Sequence, residues 1–314
     1  MLTVGVDVGG TNVRAGVVDA GGAVLDTVRA ATPGEDAALE DAIALAVEEL
    51  ADRHKVAAVG LAVAGFVTAD RRRVRFAPHL SWRQAPVADR IRRRLGMPVV
   101  LEHDANSAAV AEYRFGAARG AKHAVLVAIG TGIGSALLIR GEIYRGAHGV
   151  APELGHVRMV PDGRPCPCGR RGCWERYCSG TALAATTLEL LASAPWQSTL
   201  LEGYASGDPH RITGRLVAAA ARDGDPLAIR AMAELARWLG EGLAMIADVY
   251  DPELVVVGGG VSESAPLFLD EAREHYAKVV TGAGHRPLAR IRTAQLGGDD
   301  AGIVGAACIA REWR

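Results

Sequence analysis

The sequence has no excess of charge of either sign. Lys and Arg together number 35 and Asp and Glu number 36, so the formal net charge is −1. Proteins that bind nucleic acid or anionic membrane surfaces in general present a basic field. We therefore expect neither a nucleic acid nor a membrane as partner. The two short basic runs, 71–73 and 92–94, are interpreted as solvated faces rather than anion sites.

Long hydrophobic runs and a targeting segment are also missing. No stretch of 18 apolar residues occurs, and no basic segment is followed by an apolar one. We therefore expect a cytoplasmic protein. With 314 residues, 49% of them hydrophobic and 23% charged, the composition predicts a globular chain with two domains.

Cysteine is scarce and unevenly placed. Of the five cysteines, Cys166, Cys168 and Cys173 fall within eight residues, whereas Cys178 and Cys308 lie outside this group. In a reducing compartment such clustering indicates metal binding rather than disulfides. We interpret the two outlying cysteines as small buried hydrophobic residues.

A histidine completes the metal-ligand set. His156 ends the segment Glu153-Leu-Gly-His and precedes the cysteines by ten residues. One imidazole and three thiolates form a closed tetrahedral zinc site, which is structural and has no open position for catalysis. A zinc hydrolase is therefore disfavoured. Glu153 and Glu175 flank this set as acceptors for a polar ligand, and we expect residues 161–173 to need zinc for order.

Hydrophobic periodicity predicts an α/β chain whose pattern occurs twice. The first half reads as three antiparallel strands, and a second strand–glycine turn–strand unit starts near residue 124. This repetition favours two related halves meeting at a cleft. The expected strands are 2–8, 13–18, 23–29, 56–63, 98–102, 124–129, 135–139 and 254–257, and the expected helices are 35–54, 89–95, 107–115, 226–248 and 263–280.

Two glycine turns follow strands at equivalent places in the halves. Each alone is typical of an ordinary hairpin, but together they predict two turns that hold the phosphates of one nucleotide. Neither has the spacing of a P-loop or of a dinucleotide-binding turn. Asp7 is a candidate for Mg²⁺, through water. The turn residues are Gly9, Gly10, Thr11 and Asn12 in the first, and Gly130, Thr131, Gly132 and Gly134 in the second.

A third glycine segment and one carboxylate complete the set. Gly258, Gly259 and Gly260 either let a planar adenine or ribose approach the backbone or form a tight strand-to-helix connection. Asp104 stands where a strand gives way to a helix, so it is either an N-cap or a general base. Phosphoryl transfer to an alcohol needs such a base.

These segments, in this order, resemble the ROK sugar kinases of the actin/hexokinase superfamily. The blocks are Asp7-Val-Gly-Gly-Thr11, His103-Asp-Ala-Asn106, Gly130-Thr-Gly-Ile-Gly134, Glu153-Leu-Gly-His156 and Cys166-Pro-Cys-Gly-Arg-Arg-Gly-Cys-Trp-Glu175. The resemblance covers the whole chain and is strongest to bacterial zinc-containing ROK glucokinases. It implies a two-domain actin/hexokinase-like (ribonuclease H-like) α/β fold with the active site in the cleft between the domains.

The resemblance also implies boundaries, ligands and roles. Residues 1–115, completed by a C-terminal helix at about 299–314, form the smaller domain, and residues 116–298 form the larger one with the zinc motif. The implied cofactors are ATP, Mg²⁺ and structural Zn²⁺, and the implied assembly is a homodimer or homotetramer. Asp104 is implied to activate the sugar 6-hydroxyl. The implied sugar contacts are Gly65, His103, Asp104, Asn106, Glu153, His156 and Glu175, and ATP is implied to lie across both glycine turns and 258–260.

Two positions depart from the family pattern. His103 and His79 stand where these kinases usually have asparagine. An amide donates and accepts on one edge, whereas a neutral imidazole has its donor and acceptor on opposite edges. The function implied is transfer of the ATP γ-phosphate to the 6-hydroxyl of a hexose, with glucose first. The alternatives are a C3-modified or amino sugar such as kanosamine, and polyphosphate as donor. A sugar-responsive regulator is disfavoured because the first strand follows Met1 directly, without a helix-turn-helix.

Overall fold

The computed structural model describes residues 1–193 and 199–313. By its internal contacts the chain forms two compact units. The first unit comprises residues 1–126, 136–152 and 294–314, and the second comprises 127–135 and 153–293. Within the described residues, no helix is both long and apolar enough to cross a membrane.

The first unit is built on a five-stranded mixed sheet of order β3-β2-β1-β4-β8. Strands β1, β2 and β3 pair antiparallel, as the three-strand pattern predicts, whereas β4 is parallel to both β1 and β8. The bounds are β1 Leu2–Val8, β2 Asn12–Val18, β3 Val24–Ala31, β4 Val56–Val63 and β8 Val99–His103.

Helices cover both faces of this sheet. Successive side chains of β1 alternate between faces, and Val4, Val6 and Val8 belong to the main core together with residues of α1 and α2. A small antiparallel sheet adds to the same core. The remaining elements are α1 Asp36–Arg53, α2 Val87–Leu95, α3 Asp104–Phe115, α9 Gly298–Glu312, β5 Phe66–Val67, β6 Val74–Phe76 and β7 Arg83–Ala85.

Two paired glycines explain why the C-terminal helix α9 belongs to the first unit. Gly5 of β1 and Gly60 of β4 are neighbours in the parallel register. A Cβ at Gly5 would lie 1.8 Å from the backbone oxygen of Ile303, and one at Gly60 would lie 2.0 Å from that of Ala306. Because both positions lack side chains, α9 packs directly onto the strands, where a larger residue would displace it.

A second five-stranded sheet has the order β11-β10-β9-β12-β13, which repeats the strand order of the first. The repetition predicted from the two glycine turns is therefore present in the sheet topology. Strands β10 and β11 pair antiparallel and β12 and β13 pair parallel. The bounds are β9 His123–Ile129, β10 Ile133–Ile139, β11 Glu142–Tyr144, β12 Leu254–Gly258 and β13 Arg290–Thr293.

The helices of the second unit pack around α7, the longest of them. Its first turn is capped by Asp225, whose Oδ1 accepts from the backbone N–H of Ala228 at 2.8 Å. The helix expected over 263–280 is instead a 3₁₀ segment, Gly260–Leu267, followed by α8, because Pro266 interrupts the pattern. The bounds are α4 Gly180–Ser193, α5 Leu201–Tyr204, α6 Gly214–Arg222, α7 Pro226–Tyr250 and α8 Leu269–Val279.

The two units differ from the expected domain division at three places. Residues 116–126, 136–152 and 294–298 cluster with the first unit, whereas the sequence division puts them in the second. Local contacts explain the first of these. The loop after α3 turns back on that helix, since the Glu112 side chain accepts from the N–H of Ala117 at 2.6 Å and from those of Gln295 and Leu296.

Candidate functional site

The predicted metal ligands come together in the second unit. The ligand atoms of His156, Cys166, Cys168 and Cys173 all lie within 4.8 Å of one another. The Cys168 and Cys173 sulfurs are 3.6 Å apart, and the Cys166 sulfur is 3.6 Å from Nδ1 of His156. A tetrahedral zinc with ordinary bond lengths separates its ligand atoms by about 3.5–3.8 Å. Two of the ligand pairs already have this spacing, and the one imidazole and three thiols are the donor set of a Zn²⁺ site.

Short backbone pairings create this arrangement. Isolated bridges join Arg158 to Cys173 and Pro165 to Arg171, so the loop folds back on itself. The N–H of Cys166 donates to the Arg170 carbonyl at 2.9 Å. His156 ends a 3₁₀ turn that begins at Leu154. The loop thus presents its ligands from a folded hairpin with little apolar content of its own.

The thiols differ in acidity. Burial raises the pKa of Cys166 and of Cys173, which favours the protonated thiol. Burial also opposes ionisation of Cys168, but the backbone N–H of Arg170 and the neighbouring thiols together lower its pKa to about 7. Cys168 is the exposed member of the group. Because zinc binds thiolates, its binding must release protons from Cys166 and Cys173.

Glu175 connects the metal cluster to the second glycine turn. Its Oε1 lies 3.2 Å from the Cys166 sulfur and 3.6 Å from Nδ1 of His156. Its Oε2 accepts from the N–H of Ile133 at 3.4 Å. A Cβ at Gly132 would lie 2.5 Å from that oxygen, so a side chain at this position would have to displace the carboxylate. The predicted carboxylate therefore lies between the metal ligands and the turn.

The second glycine turn lies beside the 258–260 segment. The N–H of Gly130 donates to the Gly132 carbonyl at 2.9 Å and closes the turn around Thr131. Gly259 adopts φ +79°, and a Cβ there would lie 2.5 Å from the backbone of Ile129. Gly134 is in β10. The structure therefore brings together the two glycine segments of the second unit that the sequence assigns to the nucleotide.

A helix N-terminus that the sequence analysis missed also reaches this turn. The N–H of Gly180, the first residue of α4, donates to the Gly130 carbonyl at 2.8 Å. The hydroxyl of Ser179 accepts from the N–H of Ala182 at 3.0 Å, which caps the helix. The available signal was the Ser-Gly-Thr sequence at 179–181, a common start of a helix.

The first glycine turn occupies the predicted place between β1 and β2. The N–H of Gly9 donates to the Asn12 carbonyl at 3.0 Å, and the Asn12 amide donates to the Thr11 hydroxyl at 3.0 Å. A Cβ at Gly10 would lie 3.0 Å from that of His79, so His79 packs against this turn. One of the two departures from the family pattern is therefore placed at the predicted nucleotide side.

Asp7 is paired rather than isolated. The Arg14 guanidinium donates to its Oδ2 at 2.6 Å, and each side chain is 21% exposed. This pairing places a positive charge beside the turn, where the phosphates of ATP are expected. Since Mg²⁺ keeps much of its hydration shell, a carboxylate with an arginine partner fits a water-mediated contact.

Asp104 is the first residue of α3 and not its N-cap. The N-cap is His103, whose side chain makes no capping bond, so the alternative interpretation of Asp104 as an N-cap is wrong. Oδ1 of Asp104 accepts from the N–H of Ala105 at 2.7 Å and lies 3.2 Å from Nε2 of His103. The Asp104 side chain is 42% exposed, so its carboxylate is accessible to a substrate.

The remaining sugar-side residues occupy defined places. Gly65 follows β4, and a Cβ there would lie 2.7 Å from the Phe76 carbonyl oxygen. Asn106 is in the first turn of α3 and is 2% exposed. Glu153 precedes the 3₁₀ turn that ends in His156. Asp104, His103, Asn106 and Gly65 are in the first unit, whereas Glu153, His156 and Glu175 are in the second.

Sequence reasoning also missed a buried ionic cluster in the first unit. The Arg145 guanidinium donates to the Glu102 carboxylate through two nitrogens, at 2.7 and 2.8 Å. Nη1 of Arg71 lies 3.8 Å from the same carboxylate, and its guanidinium stacks on Trp313 at 4.0 Å. The interpretation of Arg71 as solvated is therefore wrong. Its partners are distant in sequence, so no local pattern marks it.

Three comparisons with known proteins agree with this arrangement. The ROK family profile matches residues 3–313. The glucokinase of Streptomyces coelicolor is 45% identical over 311 residues, covering 99% of this chain and 98% of that protein. The glucokinase of Thermotoga maritima is 33% identical over 313 residues, covering 98% and 97%. The crystal structure of a ROK family glucokinase from Streptomyces griseus, in complex with glucose and AMPPNP, matches with TM-score 0.90, 45% identity and full coverage of both chains.

Proposed function

The chain belongs to the ROK family, and on that premise we propose that it is an ATP-dependent sugar kinase acting on the 6-hydroxyl of a hexose, with glucose as the first candidate. The similarity along the full length to a glucokinase crystallised with glucose and AMPPNP carries this proposal. A sugar-responsive regulator is not favoured, because the glucokinases of Streptomyces coelicolor and Thermotoga maritima match 99% and 98% of this chain at 45% and 33% identity.

On the sugar side, Asp104 is the proposed general base. Its exposed carboxylate at the start of α3 accepts the proton of the 6-hydroxyl as the oxygen attacks the γ-phosphorus. The bond from the γ-phosphorus to the bridging oxygen breaks, and ADP leaves. Glu153, His156 and Glu175 are proposed to bind ring hydroxyls. His156 directs Nδ1 toward the thiols, which leaves Nε2 for a sugar hydroxyl. Further contacts are proposed from Gly65, His103 and Asn106.

On the nucleotide side, the two glycine turns are the proposed phosphate sites. Their backbone N–H groups approach phosphate oxygens closely because glycine leaves the backbone uncovered. Mg²⁺ would neutralise charge on the phosphates, held near Asp7 through water. The proposed contacts are Asp7, Gly9, Gly10, Thr11, Asn12, Gly130, Thr131, Gly132, Gly134, Gly258, Gly259 and Gly260.

Zinc is proposed to be structural. Three thiolates and one imidazole fill a tetrahedral shell, so the ion orients His156 and the loop and takes no part in phosphoryl transfer. Cytoplasmic location and assembly as a homodimer or homotetramer remain predictions of the same proposal.

The identity of the sugar is tested by a substrate panel. Purified protein with MgATP is assayed for ADP release with glucose, mannose, glucosamine, kanosamine and N-acetyl sugars, and then again as His103→Asn. We expect turnover of glucose, and we expect the exchange to change kcat/KM between glucose and a C3-modified sugar, because His103 adjoins Asp104. No ADP release with any hexose or aminohexose would refute the kinase. If the ratios of kcat/KM among the sugars are the same in the wild type and in His103→Asn, His103 does not determine sugar specificity.

A further inference from the structure

A buried carboxylate lies directly before the proposed base. Glu102 is the second-to-last residue of β8 and is 2% exposed. Its neighbour His103 ends the strand, and Asp104 begins α3. A buried charge is costly unless it is paired and hydrogen-bonded, so the contacts of Glu102 define its role.

One oxygen of Glu102 accepts hydrogen bonds from a residue before Asp104 and from a residue after it. Oε1 accepts from the backbone N–H of His103 at 3.1 Å and from Nδ2 of Asn106 at 2.9 Å. The residue before Asp104 and the second residue after it are therefore fixed to the same atom. Because the His103 side chain does not cap α3, this carboxylate supplies the polar contact that holds the strand-to-helix junction.

The other oxygen of Glu102 is held from outside the junction. Oε2 accepts from both Nε and Nη2 of Arg145, at 2.8 and 2.7 Å, so two charge-assisted hydrogen bonds meet at this one oxygen. Arg71 adds a second positive charge at 3.8 Å. Two guanidinium groups thus compensate the charge of one buried carboxylate, and a carboxylate has acceptor atoms only.

This acceptor determines the orientation of the Asn106 amide. A carboxylate cannot donate, so the edge of Asn106 that faces Glu102 must be the NH₂ group. The carbonyl edge is then presented on the other side. Oδ1 of Asn106 is buried, and within residues 1–193 and 199–313 it has no hydrogen-bond partner. Such a group costs about 1–3 kcal/mol until a donor reaches it.

We propose that Glu102 is a positioning residue for phosphoryl transfer. It holds the segment around Asp104 through His103 and Asn106, and it orients the Asn106 amide so that its carbonyl oxygen is the acceptor for a sugar hydroxyl. This inference rests on the proposed kinase function. It adds a residue that touches neither substrate nor nucleotide, supported by Arg145 as its charge partner.

The test variant is Glu102→Gln, with kcat and both KM values measured. Glutamine has one oxygen and one NH₂ group. If its oxygen accepts from His103 and Asn106, its NH₂ group faces the Arg145 guanidinium, which is also a donor. If its oxygen accepts from Arg145 instead, its NH₂ group faces the two donors at the junction. We expect kcat to fall roughly 10- to 100-fold. We expect KM for the sugar to rise, while KM for ATP stays within about twofold, since the glycine turns are untouched.

Rescue separates positioning from general destabilisation. In Glu102→Gln combined with Arg145→Met, the two short donors that face this position are gone and only Arg71, at 3.8 Å, remains. The glutamine can then direct its NH₂ group to that side, and its oxygen can again serve His103 and Asn106. We expect the double variant to have a higher kcat than Glu102→Gln alone, a non-additivity typical of contacting residues. A kcat in the double variant at or below that of Glu102→Gln contradicts the proposal.

A matched control comes from the surface of the same unit. Glu48 also accepts from two nitrogens of one arginine, Arg94, at 3.0 and 3.2 Å, but its side chain is 41% exposed. Glu48→Gln should leave kcat and both KM values at the wild-type level, because exposed pairs contribute little.

The outcomes distinguish this inference from the function it rests on. Absence of wild-type turnover refutes the kinase. Wild-type turnover together with a folded Glu102→Gln of unchanged kcat and sugar KM refutes only the positioning role. If Glu102→Gln does not fold, Arg145→Lys decides, since it keeps the charge but cannot donate from two planar nitrogens to Oε2 of Glu102. We expect a loss of about 3- to 10-fold in kcat there, and an unchanged value overturns the proposal.

Discussion

The two clusters that support polar site residues are built differently. In the first unit, Glu102 is satisfied by Arg145, Arg71 and the α3 junction, so its contacts are complete when the chain folds. In the second, three thiols and His156 meet in a loop with few apolar residues, and zinc would bind the thiols as thiolates and compensate their charge. The comparison indicates that the Glu102 cluster is held by the chain's own residues, whereas the loop that carries the cysteines is expected to depend on zinc.

The largest expected effect comes from the residue that the first cluster positions. Asp104→Asn removes the proposed base while keeping its size, so we expect kcat to fall by about 10²- to 10⁴-fold. The measurement is steady-state turnover of glucose with circular dichroism as a check on folding. Asp89→Asn is the matched control, since Asp89 is also in a first helical turn and its side chain is 39% exposed. Retained turnover in Asp104→Asn would remove Asp104 from its role.

Loss of zinc should affect the second cluster and leave the first intact. We expect Cys173→Ser to lose its zinc and to bind glucose at least about tenfold more weakly, because His156 loses its orientation. Metal analysis and calorimetry measure the two quantities. Cys178→Ala is the control: Cys178 is fully buried outside the ligand set, so that variant should keep both zinc and sugar binding. Normal glucose affinity in the zinc-free variant would contradict the proposal that His156 binds both zinc and the sugar.

The smallest effect concerns a support of the second unit that does not involve zinc. Burial disfavours the charge of Asp225, but donors from Ala228, Thr199 and Leu200 together lower its pKa. Since the folded pKa lies below the unfolded one, Asp225 stabilises the fold above about pH 4, and that contribution is lost as pH falls through the lowered pKa. We expect Asp225→Asn to cost about 1–2 kcal/mol at pH 7 and less at pH 3, with zinc content unchanged.

Thermal unfolding of Asp225→Asn and of the wild type at both pH values measures this difference. A destabilisation as large at pH 3 as at pH 7 would show that the charge of Asp225 is not the source. Loss of zinc in the variant would show that the metal loop and the capped helix α7 are not independent.

The parts of the fold that local pattern determines were predicted well. Strand β4 has the expected bounds, 56–63, because an apolar run ends at glycine. Helix α1 differs by one residue at each end from the expected 35–54. The sequence predicts the start of α3 near Ser107, whereas the helix begins at Asp104. At this junction the Glu102 carboxylate accepts from the His103 N–H and the Asn106 side chain, a contact that no helix propensity encodes.

The candidate site was predictable where ligands are close in sequence. The zinc ligands lie within 18 residues of chain and carry their own spacing signal. Arg71, Arg145 and Trp313 were not identified, since each gains its role from residues far along the chain. A basic run is typical of a solvated surface, and only tertiary contact distinguishes Arg71 from its neighbours.

Identification of the product tests the central claim most directly. Protein loaded with zinc is incubated with MgATP and glucose, and the products are followed by phosphorus and carbon NMR. The account predicts ADP and a single phosphomonoester at the 6-hydroxyl of glucose in equal amounts. ADP formed without a sugar phosphate, or phosphate found on a different hydroxyl, would contradict it.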